Sequence, residues 1–93
     1  MKLLAESEIS ERLKGLDGWS LTLEGIRKQY RLDSFPSAIN LVNRVADLAE
    51  QASHHPDILI RYDAVTFTLT THDAGGVTAK DLDLAERIEA IAP

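Results

Sequence analysis

Asp57-Ile58-Leu59-Ile60-Arg61-Tyr62-Asp63-Ala64-Val65-Thr66-Phe67-Thr68-Leu69-Thr70 decides the fold. Ile58, Ile60 and Tyr62 alternate with Leu59 and Arg61, and Val65, Phe67 and Leu69 alternate with Thr66, Thr68 and Thr70. A period of two over consecutive runs, rich in β-branched and aromatic residues, predicts two half-buried strands of one hairpin. If the apolar residues share a face and the chain reverses at Asp63-Ala64, Tyr62 opposes Val65, Ile60 opposes Phe67 and Ile58 opposes Leu69. Tyr62 then belongs to the core with Ile58 and Ile60. Extending the same count places His55 opposite His72.

Upstream the period changes. Phe35, Ala38, Ile39, Val42, Val45, Ala46, Ala49 and Ala52 follow helical spacing and predict the core face of a long helix. Ser34 is its expected cap, and Pro36 is tolerated in the first turn because its missing N–H has no intrahelical partner there. Leu41 and Leu48 lie beside the stripe, either as a wider core face or as a contact between subunits. Pro56 stops the helix soon after Ser53. Glu50 and His54 are four residues apart, so a helix holding through Ser53 would let the carboxylate orient the imidazole.

The first part of the chain predicts a short helix capped at Ser7, with Ile9 and Leu13 on one side and Gly15 as its stop. A second hairpin follows, with Trp19, Leu21 and Leu23 on one strand and Ile26, Tyr30 and Leu32 on the other, and Trp19 opposite Tyr30. Lys28 interrupts that apolar face, which predicts a stem lying along the sheet and an ammonium reaching water. Gly75-Gly76 marks a turn into a last helix, capped by Thr78 and burying Leu82, Ala85 and Ile88. Thr78 and Asp81 have capping-box spacing. The order helix, two strands, helix, two strands, helix predicts an α+β protein: one antiparallel sheet with its apolar face covered by helices.

Composition narrows the function classes. The 93 residues are 44% hydrophobic and 27% charged, which suits one small globular domain with a modest core that subunit association would help. There is no cysteine, so neither disulfides nor thiol chemistry are available, and a reducing compartment is suited. A net charge of −5 argues against a nucleic-acid surface. No apolar run reaches membrane-spanning length and no signal pattern opens the chain, so the expected location is cytoplasmic.

The protein has three histidines, His54, His55 and His72, all within or beside the second hairpin. Each alone would pass for a surface residue; their convergence by register sets them apart. Histidine and carboxylate side chains suit a metal, but adjacent histidines rarely point the same way, and no cysteine or helical histidine pair accompanies them. Imidazoles, with an unperturbed pKa of about 6.5, can also donate and accept protons at neutral pH.

Glu50, three residues, His54-His55-Pro56, five residues, Tyr62, nine residues, His72, eight residues, Asp81 resembles the signature of the pterin-4a-carbinolamine dehydratases. Gly18-Trp19, Arg44-Val45-Ala46, Ala49-Glu50, Thr71-His72 and Gly75-Gly76-Val77-Thr78 extend the resemblance from about Gly18 to Ile91. The resemblance implies three helices on a four-stranded sheet and dehydration of a 4a-hydroxytetrahydropterin to quinonoid dihydropterin, without cofactor or metal. His54, His55 and His72 would be the acid–base set, with Glu50 orienting His54 and Asp81 supporting His72; Thr71 and Thr78 would join the histidines in binding the pterin. The expected partners are the pterin, a homodimer or homotetramer, and an aromatic amino-acid hydroxylase as functional neighbour. The alternative is a non-catalytic pterin-binding or dimerisation module, since mammalian relatives of this family also act as dimerisation cofactors for a homeodomain transcription factor.

Overall fold

A computed structural model describes residues 2–93. In chain order it contains α1 (Glu6–Leu13), β1 (Ser20–Thr22), β2 (Gly25–Arg31), α2 (Phe35–Ala52), β3 (Asp57–Arg61), β4 (Ala64–Leu69), a 3₁₀ turn (His72–Ala74) and α3 (Ala79–Ile91). The strands form one antiparallel sheet in the order β1-β2-β4-β3. The three helices lie over its apolar face, as expected from the alternation of period two and period 3.6. The core is centred on Ile26, Val65, Phe67 and Leu69 of the inner strands, Val45 of α2, and Leu82, Leu84 and Ile88 of α3. Burying a side chain of this kind contributes about 1.5–3 kcal/mol. Helix α3 touches both α1 and α2, so Leu84 is buried as well as the expected Leu82, Ala85 and Ile88. Among the described residues, no helix is long and apolar enough to cross a membrane.

The second hairpin has the expected strands in a register shifted by two. Ile60 opposes Val65 and Ile58 opposes Phe67, so the reversal falls at Tyr62-Asp63. Tyr62 adopts φ 53° and is 85% exposed, contrary to its expected place in the core. The turn is fixed from outside the hairpin: the Asp63 carbonyl accepts from the Leu32 amide at 2.7 Å, and the Asp63 carboxylate meets Arg31 at 3.1 Å. A slip of two keeps every side chain on its own face, which is why parity alone could not detect it.

The first hairpin is also displaced. Ser20 pairs with Arg27, which puts the position of Trp19 across from Lys28 rather than Tyr30; the Trp19 and Tyr30 rings meet edge to face at 6.4 Å. Leu23 lies in the turn and is fully exposed. Gly25 has φ 138°, and a Cβ there would come within 2.1 Å of the Leu69 carbonyl, so the close approach of β2 to β4 requires glycine. Helix α1 starts earlier than the Ser7 cap predicts, with Ala5 at the cap position and the Glu8 carboxylate accepting from the Ala5 amide at 3.0 Å.

Helix α2 begins as expected, the Ser34 hydroxyl accepting from the Ser37 amide at 3.1 Å. Its buried stripe is rotated from the expected one and runs through Ala38, Leu41, Val45 and Ala49, with Leu48 packed against the core. Leu41, at 2% exposure, is core and not a subunit contact. Phe35 and Ala46 are exposed, and Ile39 and Val42 are half-buried. Val42 still packs against the core, while Phe35, Ile39 and Ala46 extend an apolar stripe outward from it.

Lys28 does not carry its ammonium to water. It meets the Glu89 carboxylate at 2.5 Å and donates to the Asp17 carbonyl at 2.7 Å; the Tyr30 hydroxyl and Trp19 indole donate to the same Glu89 oxygen. This ties the end of α3 to the sheet. Burial pushes the Tyr30 phenol well above its ordinary pKa, reinforced by Glu89. For Glu89 burial acts upward, but the bonds from Lys28, Tyr30 and Trp19 outweigh it, and the carboxyl lies below its ordinary value of 4.5. A lowered carboxyl pKa contributes stability that is fully present above 4.5 and is lost as pH falls through the folded-state value. Thermal unfolding of Glu89→Gln should therefore be less steeply pH-dependent below about 4.5 than that of the wild-type chain; parallel profiles would contradict the assignment.

Candidate active site

The site is built where α2 ends and α3 begins. Helix α2 stops at Ala52, and Ser53 takes the left-handed conformation at φ 49°, ψ 42°. That turns the chain out of the helix while the His54 amide still bonds back to the Ala49 carbonyl at 3.0 Å. The His54 ring consequently swings toward the N-terminus of α3 instead of lying along α2 beside Glu50. Its Nε2 is 2.5 Å from Asp81 Oδ1, with the imidazole only 10% exposed and the carboxylate fully buried. The ring that pairs with Glu50 is His55, whose Nε2 stands 2.5 Å from Glu50 Oε2 in an exposed pair. The expected Glu50–His54 bond required helix through Ser53, and the left-handed Ser53 removes that condition.

Asp81 serves two purposes at once. Its Oδ2 accepts from the Thr78 amide at 2.9 Å, closing the capping box of α3, and from the Thr71 hydroxyl at 2.9 Å. The Thr71 and Thr78 hydroxyls are 2.8 Å apart. Both threonines are buried, so this layer fixes the carboxylate from behind while Oδ1 meets His54. With Oδ2 committed as an acceptor, Oδ1 meets the ring at Nε2, and Nδ1 is the ring nitrogen that Asp81 does not engage. The expected pairing of Asp81 with His72 is thus replaced by pairing with His54.

His72 opens the 3₁₀ turn, which Gly75 closes at φ 81°. The observed register ends β3 at Asp57 and β4 at Leu69, so His55 and His72 do not face each other across the hairpin. They are nevertheless brought together. His54, His55 and His72 all line one open cleft of about 300 Å³, with Ser53, Thr70, Thr71, Asp73 and Lys80. Glu50 reaches it only through His55. Sequence reasoning passed over Asp73 and Lys80, and the only signal for them was adjacency to His72 and Asp81. A larger open cleft of about 700 Å³ lies between α1, the β1–β2 turn and Gly75-Gly76. It contains no histidine and, beyond Glu6, no ionisable group, so the three imidazoles are confined to the smaller one. No cluster with the makings of a metal site occurs among the described residues.

This fold and cleft define an α+β protein in which a helix end and a sheet end present three imidazoles, one backed by a buried carboxylate. The family model described as pterin 4 alpha carbinolamine dehydratase matches residues 2–91. The chain belongs to that family. It is 58% identical over 88 residues to a protein of Roseiflexus sp. (strain RS-1), covering 95% of each chain, and 44% identical over 91 residues to one of Sulfurisphaera tokodaii, covering 98% of each. Both relatives carry provisional names as pterin-4-alpha-carbinolamine dehydratases. A crystal structure from Brucella melitensis, described as a transcriptional coactivator/pterin dehydratase, superposes with TM-score 0.93 at 36% identity, covering 99% of this chain and 100% of that one.

Proposed function

We propose that the chain dehydrates a 4a-hydroxytetrahydropterin to the quinonoid dihydropterin by histidine acid–base catalysis, as a step in pterin recycling alongside an aromatic amino-acid hydroxylase. The observation that carries this is the Asp81-backed His54 converging with His55 and His72 on one cleft. Hydroxide leaves poorly, so one imidazolium donates to the 4a-oxygen as the C–O bond breaks, and a second group takes the N5 proton. The electron pair of the N5–H bond forms the new C=N bond, and the departing oxygen leaves as water. His54, with Nε2 engaged by Asp81, offers Nδ1 for one of these transfers, and His72 and His55, which line the same cleft, are available for the other. Thr71 and Thr78 contribute to binding chiefly by holding Asp81 and the cleft wall.

No cofactor enters this scheme, and the cysteine-free chain suits a reducing compartment such as the cytoplasm. Extensively chelated protein is expected to dehydrate the carbinolamine at its original rate. Loss of activity on chelation, restored by one divalent metal, would contradict the acid–base reading.

The coactivator wording attached to the Brucella structure favours a second reading, a regulatory module that binds another protein. On either reading the chain associates with itself. With Leu41 in the core, the surfaces free for association are the outward stripe of α2 and the open edge of the sheet at β3.

A further inference from the structure

Two open clefts meet at one end of the sheet. Thr70 lines both, and a single turn walls both: His72 and Asp73 line the histidine cleft, Gly75 and Gly76 the larger one. At about 300 Å³ the histidine cleft is at the small end for a ligand site and suits a bicyclic ring, whereas its neighbour measures about 700 Å³. We propose that the larger cleft is a second part of the same binding site, taking an uncharged, mostly apolar substituent carried on C6 of the pterin.

The bonding within the substrate leads to this place. In a 4a-hydroxytetrahydropterin the reacting atoms C4a and N5 are ring neighbours, and C6 is bonded to N5. Whatever C6 carries therefore starts beside the imidazoles that exchange protons with the 4a-oxygen and N5. A long substituent has two ways out, into water or past Thr70 into the larger cleft. The second removes apolar surface from water and the first does not. This inference rests on the reading of the histidine cleft as the place of dehydration.

The lining decides what the substituent is. Ile9, Leu21, Leu23 and Val77 supply apolar wall. Leu21 is 36% exposed and Leu23 fully so, which leaves apolar surface for a ligand to cover. Gly75 presents bare backbone, since a side-chain carbon there would meet nothing within 4 Å. Among the described residues, Glu6 is the one ionisable side chain in the lining. A substituent ending in carboxylate or phosphate would find a like charge there and no cation, which selects against it.

A 7,8-dihydropterin is a stable tautomer of the expected quinonoid product and probes the site without turnover. By equilibrium dialysis, the compound with a 6-phenylethyl substituent should bind on the order of tenfold tighter than the one with 6-methyl. The same phenylethyl group ending in a carboxylate should lose most of that gain. Leu21→Ala/Leu23→Ala alters two exposed side chains and should abolish the difference while leaving 6-methyl binding unchanged, which also shows that the variant is folded. Glu6→Lys should raise the affinity for the carboxylate-ended compound several-fold and leave 6-methyl binding as it is. Equal affinity for the methyl and phenylethyl compounds in the wild-type chain, or a difference that survives the double variant, would overturn the second part of the site and leave the histidine cleft standing. Binding of none of the compounds would overturn both. An affinity for the carboxylate-ended compound that Glu6→Lys does not change would overturn the selection by charge.

Discussion

His54→Ala is expected to lower kcat for carbinolamine dehydration by about 10²–10⁴, the usual worth of one positioned acid or base. The substitution deletes the ring held between the cleft and Asp81. It also leaves Asp81 Oδ1 without its partner, so a modest loss of stability accompanies the loss of rate. His72→Ala should produce a loss in the same range with little effect on stability, because His72 belongs to a short 3₁₀ turn and is exposed. Uncatalysed dehydration must be subtracted in both cases. A rate within twofold of wild type for either variant, measured by stopped-flow absorbance, would remove that residue from the acid–base set.

Asp81→Ala is expected to have the largest effect on the fold. The carboxylate is fully buried and accepts from the Thr78 amide and Thr71 hydroxyl while meeting His54. Bonds to a charged group contribute about 1.5–3 kcal/mol each, and their loss is not additive, so a cost of about 2–4 kcal/mol is reasonable. For a chain of this size that lowers Tm on the order of 10–20 °C. Asp81→Asn keeps the shape and an acceptor oxygen, and should recover much of the stability while still impairing turnover, because the amide complements a ring that takes up and returns a proton less well. Asp81→Asn turning over at the wild-type rate would show that Asp81 acts only as a helix cap.

The sequence makes the layered fold legible because two periodicities alternate along it, and each is imposed by burial on one face. It makes the histidine cleft legible through the spacing from Glu50 to Asp81. What it hides are single backbone events. The left-handed Ser53 decides that His54 meets Asp81 and His55 meets Glu50, although residue spacing favours the reverse for Glu50. The anchoring of Asp63 by Leu32 and Arg31 sets the register of the second hairpin, and those contacts are remote in sequence. The parity of Tyr62 matches Ile58 and Ile60 and so points to the core, yet parity carries no information about where a hairpin turns. The core face of α2 runs through Ala38, Val45 and Ala49 as expected but widens toward Leu41 and Leu48 rather than toward Phe35 and Ala46, because periodicity does not fix where a wide apolar stripe ends.

The most direct measurement of the central claim is the decay of chemically generated 4a-carbinolamine, followed by stopped-flow absorbance at neutral pH, with wild-type chain and with the variant carrying His54→Ala, His55→Ala and His72→Ala together. The wild-type chain should accelerate the decay in proportion to its concentration, and the triple variant, still folded by circular dichroism, should leave it at the uncatalysed rate. Equal acceleration by both proteins, or none by the wild-type chain, would contradict catalysis by this cleft.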